Sequence, residues 1–396
     1  MKTLSTRKAR LLAAAVVSVG ALVTTTALVA PASAQQVQTV SVSARAGMPV
    51  VAQIAFGKKL HHLFRPDGKG ALHSGALTGL DDLGELGGHL FVGFQNGVGS
   101  QGEPSTRGNL NSTIVEFTLS GREVRQWDVL GKIDGLSTDP AGGTVIATVN
   151  EDASSSLYTV TVGTGHVTHY RYSERLPHLG GTDAISIYQG KILVSASAPG
   201  TTGAPAPKAA YPAVYVVTLN GKTAVASVRP LFYDRWLARS VNAPSAGKLV
   251  HLALTDPDSS EVVPWVSARF AGDFMLNSQG DQELVFDHQA GARVGLSVLH
   301  LSTAVDDTAW VTSRSGALYT TDSTADSVDM ISGNLTVGTA YTTVAPCDAS
   351  SAPATCPAPG FPASYLGTVN LETGALPKVA TAGAVVNPKG MIFVKF

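Results

Sequence analysis

Carboxylates recur at one kind of place along this 396-residue chain. Asp82, Asp134, Asp183, Asp273 and Asp307 each precede an apolar stretch and then, about ten residues later, an alternating strand that is usually entered through a Gly turn. Asp134-Gly135-Leu136 stands before Gly143-Thr144-Val145-Ile146, and Asp183-Ala184-Ile185 before Gly190-Lys191-Ile192-Leu193. Carboxylates gathered in one place repel unless a hard cation or protons offset them. One chemistry for the pattern is therefore a cation site, most naturally Ca²⁺, with Asp134, Asp183 and Asp307 as ligands. The other is structural: each Asp accepts backbone N–H bonds at the turn entering its own repeat, a demand that repetition makes independently of function.

Other strings with chemical overtones reduce to turns. Gly97-Val98-Gly99-Ser100-Gln101-Gly102 spells a dinucleotide fingerprint, but that motif needs a strand before and a helix after it, and here another strand follows. Asp256-Pro257-Asp258-Ser259-Ser260-Glu261 opens like a calcium loop and lacks its Gly at position six and Glu at position twelve. No Gly-x-Ser-x-Gly elbow, His-Glu-x-x-His pair, phosphate loop or Cys-x-x-Cys occurs. His166 and His169 are spaced to point to opposite faces of a strand, which disfavours joint metal ligation. Asn111-Ser112-Thr113 and Asn334-Leu335-Thr336 are glycosylation sequons.

The elements that must position the carboxylates are short strands. Thr113-Ile114-Val115-Glu116-Phe117-Thr118-Leu119 and Val214-Tyr215-Val216-Val217-Thr218-Leu219 alternate or run apolar, and Ser120-Gly121 and Asn220-Gly221 turn them into further strands. No amphipathic helix of ten or more residues is evident. Four antiparallel strands recurring every forty to fifty residues predict an all-β chain, a single β-propeller of seven four-stranded blades, with six as the alternative. The Asp positions are 52, 49, 90 and 34 residues apart, so the long interval is expected to hide a degenerate repeat near Val241-Asn242. A further repeat start is expected at Asn387-Pro388-Lys389-Gly390, with the Asp replaced. Strands in Val50 to Phe64 and an inner strand Met391 to Phe396 should share one blade and close the ring, removing exposed sheet edges.

On this plan the Asp residues stand where inner strands enter. The second-to-third-strand loops, longest at Gln95 to Ser112 and Ala196 to Ala213, open on the same face. Asp82, Asn96, Asp134, Asn150, Glu151, Asp183, Asp273 and Asp307 then form a ligand-binding face.

Composition narrows the partners. A net charge of −1 with 14% charged residues argues against nucleic acid, which needs a basic excess. Lys2, Arg7, Lys8 and Arg10 precede an apolar run from Leu11 to Ala30 and the small residues Pro31-Ala32-Ser33-Ala34, the layout of a cleaved signal peptide, 1–34. The segment 35–46 reads as a flexible leader and 47–396 as the propeller, secreted, free of the membrane after cleavage, and monomeric. Cys347 and Cys356 are the two cysteines of an exported chain and read as a disulfide that pins one loop.

Asp134-Gly135-Leu136 with Asp139-Pro140-Ala141-Gly142-Gly143 resembles the blades of the broad NHL, YVTN and lactonase-like propeller superfamily. Phe91-Val92-Gly93-Phe94-Gln95-Asn96-Gly97, Ala253-Leu254-Thr255-Asp256-Pro257-Asp258-Ser259 and Pro388-Lys389-Gly390-Met391-Ile392-Phe393-Val394 resemble exported bacterial propellers of unassigned activity. The resemblance implies the fold. Gluconolactonase-like members carry a Glu, Asn and Asp metal set and a Ser-Pro-Asp-Gly turn; that turn is missing here, so their site residues do not transfer. The expected function is an exported binding module for a small molecule, glycan or extracellular protein. The alternative is a metal-dependent, Ca²⁺-type hydrolase or lyase of the lactonase-like class.

Overall fold

The computed structural model describes residues 47–200, 210–288, 295–348, 356, 364–385 and 387–396. The expected signal peptide and the segment 35–46 lie outside them. The described chain is a β-propeller whose strands follow from short β-branched and aromatic runs punctuated by Gly turns.

The innermost strands are Leu80–Leu86, Ile133–Asp139, Thr182–Tyr188, Pro257–Val262, Val305–Trp310 and Pro388–Lys395, and each packs beside the next in a closed cycle. Among the described residues the cycle has six members, the number of the six-blade alternative. Six buried apolar clusters tell the same story, because each one lies between two neighbouring sheets. Leu90, Val92, Phe94 and Phe117 of blade one meet Ala317, Tyr319 and Val394 of blade six, for example. A middle strand such as His89–Phe94 is covered on both faces, which explains why it reads as a continuous apolar run.

Three repeat assignments change, two of them at blade four. Asp273 precedes Phe274–Ser278, the second strand of blade four, whose inner strand is Pro257–Val262. Val241-Asn242 begins no blade: the hairpin Leu237–Ser240 and Leu249–His251 is an addition joined in parallel to the outer strand Leu296–His300. The hidden repeat was the string that reads as a truncated calcium loop.

Blades five and six exchange strands. After the inner strand Val305–Trp310, the chain crosses to blade six for Gly316–Asp322 and Ser327–Ser332. It then returns to blade five for Ala340–Val344 and Tyr365–Thr368, and ends as the inner strand of blade six. Asp307 and Gly316-Ala317-Leu318-Tyr319 therefore belong to different blades, although they are adjacent in sequence. The first described strand, Val50–Phe56, is the outer edge of blade six, paired with Ser327–Ser332. Both ends of the propeller thus share one sheet, with two strands between them. His61–Phe64 leaves the ring and pairs with His73–Ala76 as a separate hairpin. No helix among the described residues is long and apolar enough to cross a membrane.

Candidate functional site

Every inner strand carries a one-residue β-bulge just after its first residue. Leu80 and Leu83 oppose Phe94 and Val92, Ile133 and Leu136 oppose Val149 and Ala147, and the same slip recurs in the other four blades. A bulge leaves an extra residue outside the ladder and re-aims the side chains beside it. Aligned on the bulge, Asp81, Asp134, Asp183, Asp258, Asp306 and Lys389 occupy one level of the channel. Asp82, Gly135, Ala184, Ser259, Asp307 and Gly390 occupy the next. The first set, five acids and one lysine, lines a cavity of about 800 Å³ at the centre of the ring, together with Asp82, Asp307, Glu261, Glu151, Asp348 and Lys132.

The two levels do different work. At the second level Asp82 accepts the N–H of Leu83 at 2.7 Å and, across the blade boundary, that of Leu136 at 2.7 Å. Asp307 repeats the arrangement with Thr308 at 2.7 Å and Met391 of the next blade at 2.6 Å. These carboxylates staple neighbouring bulges together. The structural role expected for the recurring Asp is thus present at Asp82 and Asp307, and it extends from the residue's own strand to the next blade.

At the first level the charges are compensated unevenly. Lys132 Nζ lies 2.7 Å from Asp134 and also contacts Glu151, while the Glu151 N–H donates to Asp134 at 3.2 Å. Lys389 Nζ lies 2.8 Å from Asp306 and 3.8 Å from Asp348, and Gln279 donates to Asp306 at 2.8 Å. Gln95 donates to Asp81 at 2.9 Å. Among the described residues, no hydrogen-bond donor or ion-pair partner contacts the carboxylates of Asp183 or Asp258, and only Asp258 feels a cation, the more distant Lys389. Asp183 is only 6% exposed.

Burial is the main force on these groups. It raises Asp81 to about 6 against the pull of Lys132 and Lys389. It raises Asp82 to about 8 despite the two backbone N–H bonds. Burial and the charge of Asp82 bring Glu261 to about 8. Asp183 lies well above the usual carboxylate range through burial and then repulsion from Asp258, Asp134 and Glu151. Burial opposes the charge of Lys132, but Asp134, Glu151 and Asp81 together overcome it and hold the ammonium protonated.

The remaining residues expected at the ligand face separate cleanly. Glu151 lines the cavity. Asn96 and Asn150 sit in left-handed conformation at the ends of second strands. Their amides secure the local backbone, Asn96 through Thr78, Asn111 and Thr113 and Asn150 through Lys132. Asp273 lies at the far end of blade four from the inner-strand entry and pairs with His288 at 2.6 Å. Of the suggested calcium ligands, Asp134 is offset by Lys132, Asp307 accepts two N–H groups, and Asp183 has no hydrogen bond or ion pair among the described residues. Among the described residues no three or more His, Cys, Asp or Glu side chains group closely enough to hold an ion.

Sequence reasoning missed Asp81, Asp258 and Asp306 as first-level residues. A signal was available in the preceding residue, since Leu80, Ile133, Thr182, Pro257, Val305 and Pro388 are all buried anchors one position before the ring. In the doublets Asp81-Asp82 and Asp306-Asp307 it selects the first Asp. The disulfide between Cys347 and Cys356 is present and adjoins Asp348, which lines the cavity.

No family model and no curated protein matches the chain. Solved structures similar to it include a protein of unknown function from Bacteroides caccae, 11% identical, TM-score 0.44, covering 87% of this chain and 99% of that one. A putative 6-phosphogluconolactonase from Bacteroides uniformis is 11% identical, TM-score 0.43, with the same coverage of 87% and 99%. A putative gluconolactonase is 11% identical, TM-score 0.41, covering 87% of this chain and 85% of that one.

Proposed function

We propose that the chain is an exported binding module that holds a small molecule in its central channel. The observation that carries this reading is the cavity of about 800 Å³ onto which polar side chains from all six inner strands converge. Pockets of roughly 300–1,000 Å³ suit small ligands. The Cys347–Cys356 disulfide supports an oxidising compartment.

The test is a thermal-shift screen of a small-molecule library against the wild type and Ser137→Trp, a substitution that fills the cavity from the blade-two inner strand. Ligands should raise the wild-type melting temperature by a few degrees and leave the variant unchanged. Hits that stabilise both proteins equally would place binding elsewhere and sink the channel reading.

One observation favours a hydrolase or lyase as the second reading. A cavity carboxyl near 6, as at Asp81, is poised to exchange a proton near neutral pH. Lactone or ester turnover that Asp81→Asn lowers at least 100-fold would replace the binding module with an enzyme.

A further inference from the structure

The ring's compensation is weakest between blades three and four. Blade two supplies a cation two residues before its ring Asp, Lys132 for Asp134. The equivalent position in blade four is Asp256, which adds negative charge and accepts the N–H of Gly280 at 2.9 Å. In blade three it is Gly181, where a side chain would collide with the Glu151 carbonyl. The residue after the second strand is Gln95 in blade one and Gln279 in blade four, and each amide reaches a ring Asp. In blade three that residue is Ser197, whose short side chain donates to no ring carboxylate among the described residues. Asp183 and Asp258 sit on adjacent inner strands; Asp258 feels the charge of Lys389 at a distance and has no donor, while Asp183 is buried with neither.

The chain itself shows which group the ring accepts. At the sixth position Lys389 places an ammonium beside the Asp of the neighbouring blade, at 2.8 Å. An ammonium offers three donors and one positive charge, which suits two carboxylates. A calcium ion wants six to eight oxygens, and among the described residues no third acidic or histidine side chain joins the pair closely enough to hold an ion.

We infer that the channel ligand carries a primary ammonium group and that Asp183 and Asp258 receive it. This rests on the channel-binding reading and names the ligand's chemical class.

The experiment compares an amine with its neutral counterpart, n-butylamine against 1-butanol, by calorimetric titration at pH 7, with CaCl₂ as the metal control. The wild type should bind n-butylamine at least tenfold more tightly than 1-butanol. Asp183→Asn and Asp258→Asn, which keep side-chain shape and remove charge, should each abolish the preference while retaining the wild-type circular dichroism spectrum. The inference is overturned by equal affinity for the two compounds or by a preference that survives both substitutions. Binding of CaCl₂ without n-butylamine also overturns it, since the pair would then be serving a metal. If neutral library hits remain sensitive to Ser137→Trp while n-butylamine fails, the channel reading stands and the ammonium assignment alone falls. If the library yields no channel hit either, both fall.

Discussion

Asp81 and Asp82 are identical residues side by side, yet one looks into the channel and the other ties two blades together. The bulge separates their roles, and the same division recurs at Asp306 and Asp307. A buried acid whose desolvation outweighs its favourable partners destabilises the fold when ionised, and the direction with pH follows. Asp81, Asp82 and Glu261 are raised to about 6, 8 and 8 from ordinary values near 4. The folded state therefore holds protons that the unfolded chain has released, so stability is fullest below pH 4 and declines as pH rises through 6 and then 8. Urea midpoints measured from pH 4 to 9 should fall across that range. Asp183→Asn should be more stable than the wild type at pH 8, by about 1–3 kcal/mol for an uncompensated polar group, with a smaller difference at pH 4. A wild-type midpoint that climbs with pH would contradict this account.

At the scale of the element, the inner strands pass so close at the bulges that some positions tolerate no side chain. A methyl group on Gly135 would meet the Asp183 carbonyl at 2.2 Å, and one on Gly390 would meet that of Asp81 at 2.6 Å. Both lie at the second channel level, where the next blade's backbone crosses. Since backbone cannot swing aside as a flexible side chain does, Gly135→Ala should cost about 1–3 kcal/mol, read as a lower urea midpoint. An unchanged midpoint would mean that the bulges are looser than the geometry has them. The spacing of Gly135 after its Asp was legible in sequence, but the reason for it was not. The obstructing carbonyl belongs to a residue 48 positions away, and a linear pattern carries no information about what approaches from the next blade.

The whole ring is held by its ends. Pro388–Lys395 is the inner strand of blade six and Val50–Phe56 its outer strand, with the exchanged pair Gly316–Asp322 and Ser327–Ser332 between them. Removing residues 391–396 strips that blade of most of its inner strand. It also takes away the Met391 N–H that Asp307 accepts and the Met391 side chain buried between blades five and six. Scanning calorimetry should find the melting temperature lowered by 10 °C or more. A truncated protein that melts like the full chain would show that the terminal strand does not close the ring.

Alternating strands, Gly turns and the recurrence of Asp were enough to establish from sequence an all-β repeat architecture, the sharing of one blade by its two ends, and the Cys347–Cys356 pair. These features are local, or repeat at a readable period. The cycle of six inner strands among the described residues, the strand exchange between blades five and six, and the identity of the ring residues emerged only in three dimensions. Each depends on which strand pairs with which, and strand pairing is a contact between distant residues. Asp258 shows the difference: in sequence it belongs to a failed calcium loop, while in the folded ring it stands on the inner strand next to that of Asp183, as the second ring acid with no hydrogen-bond donor among the described residues.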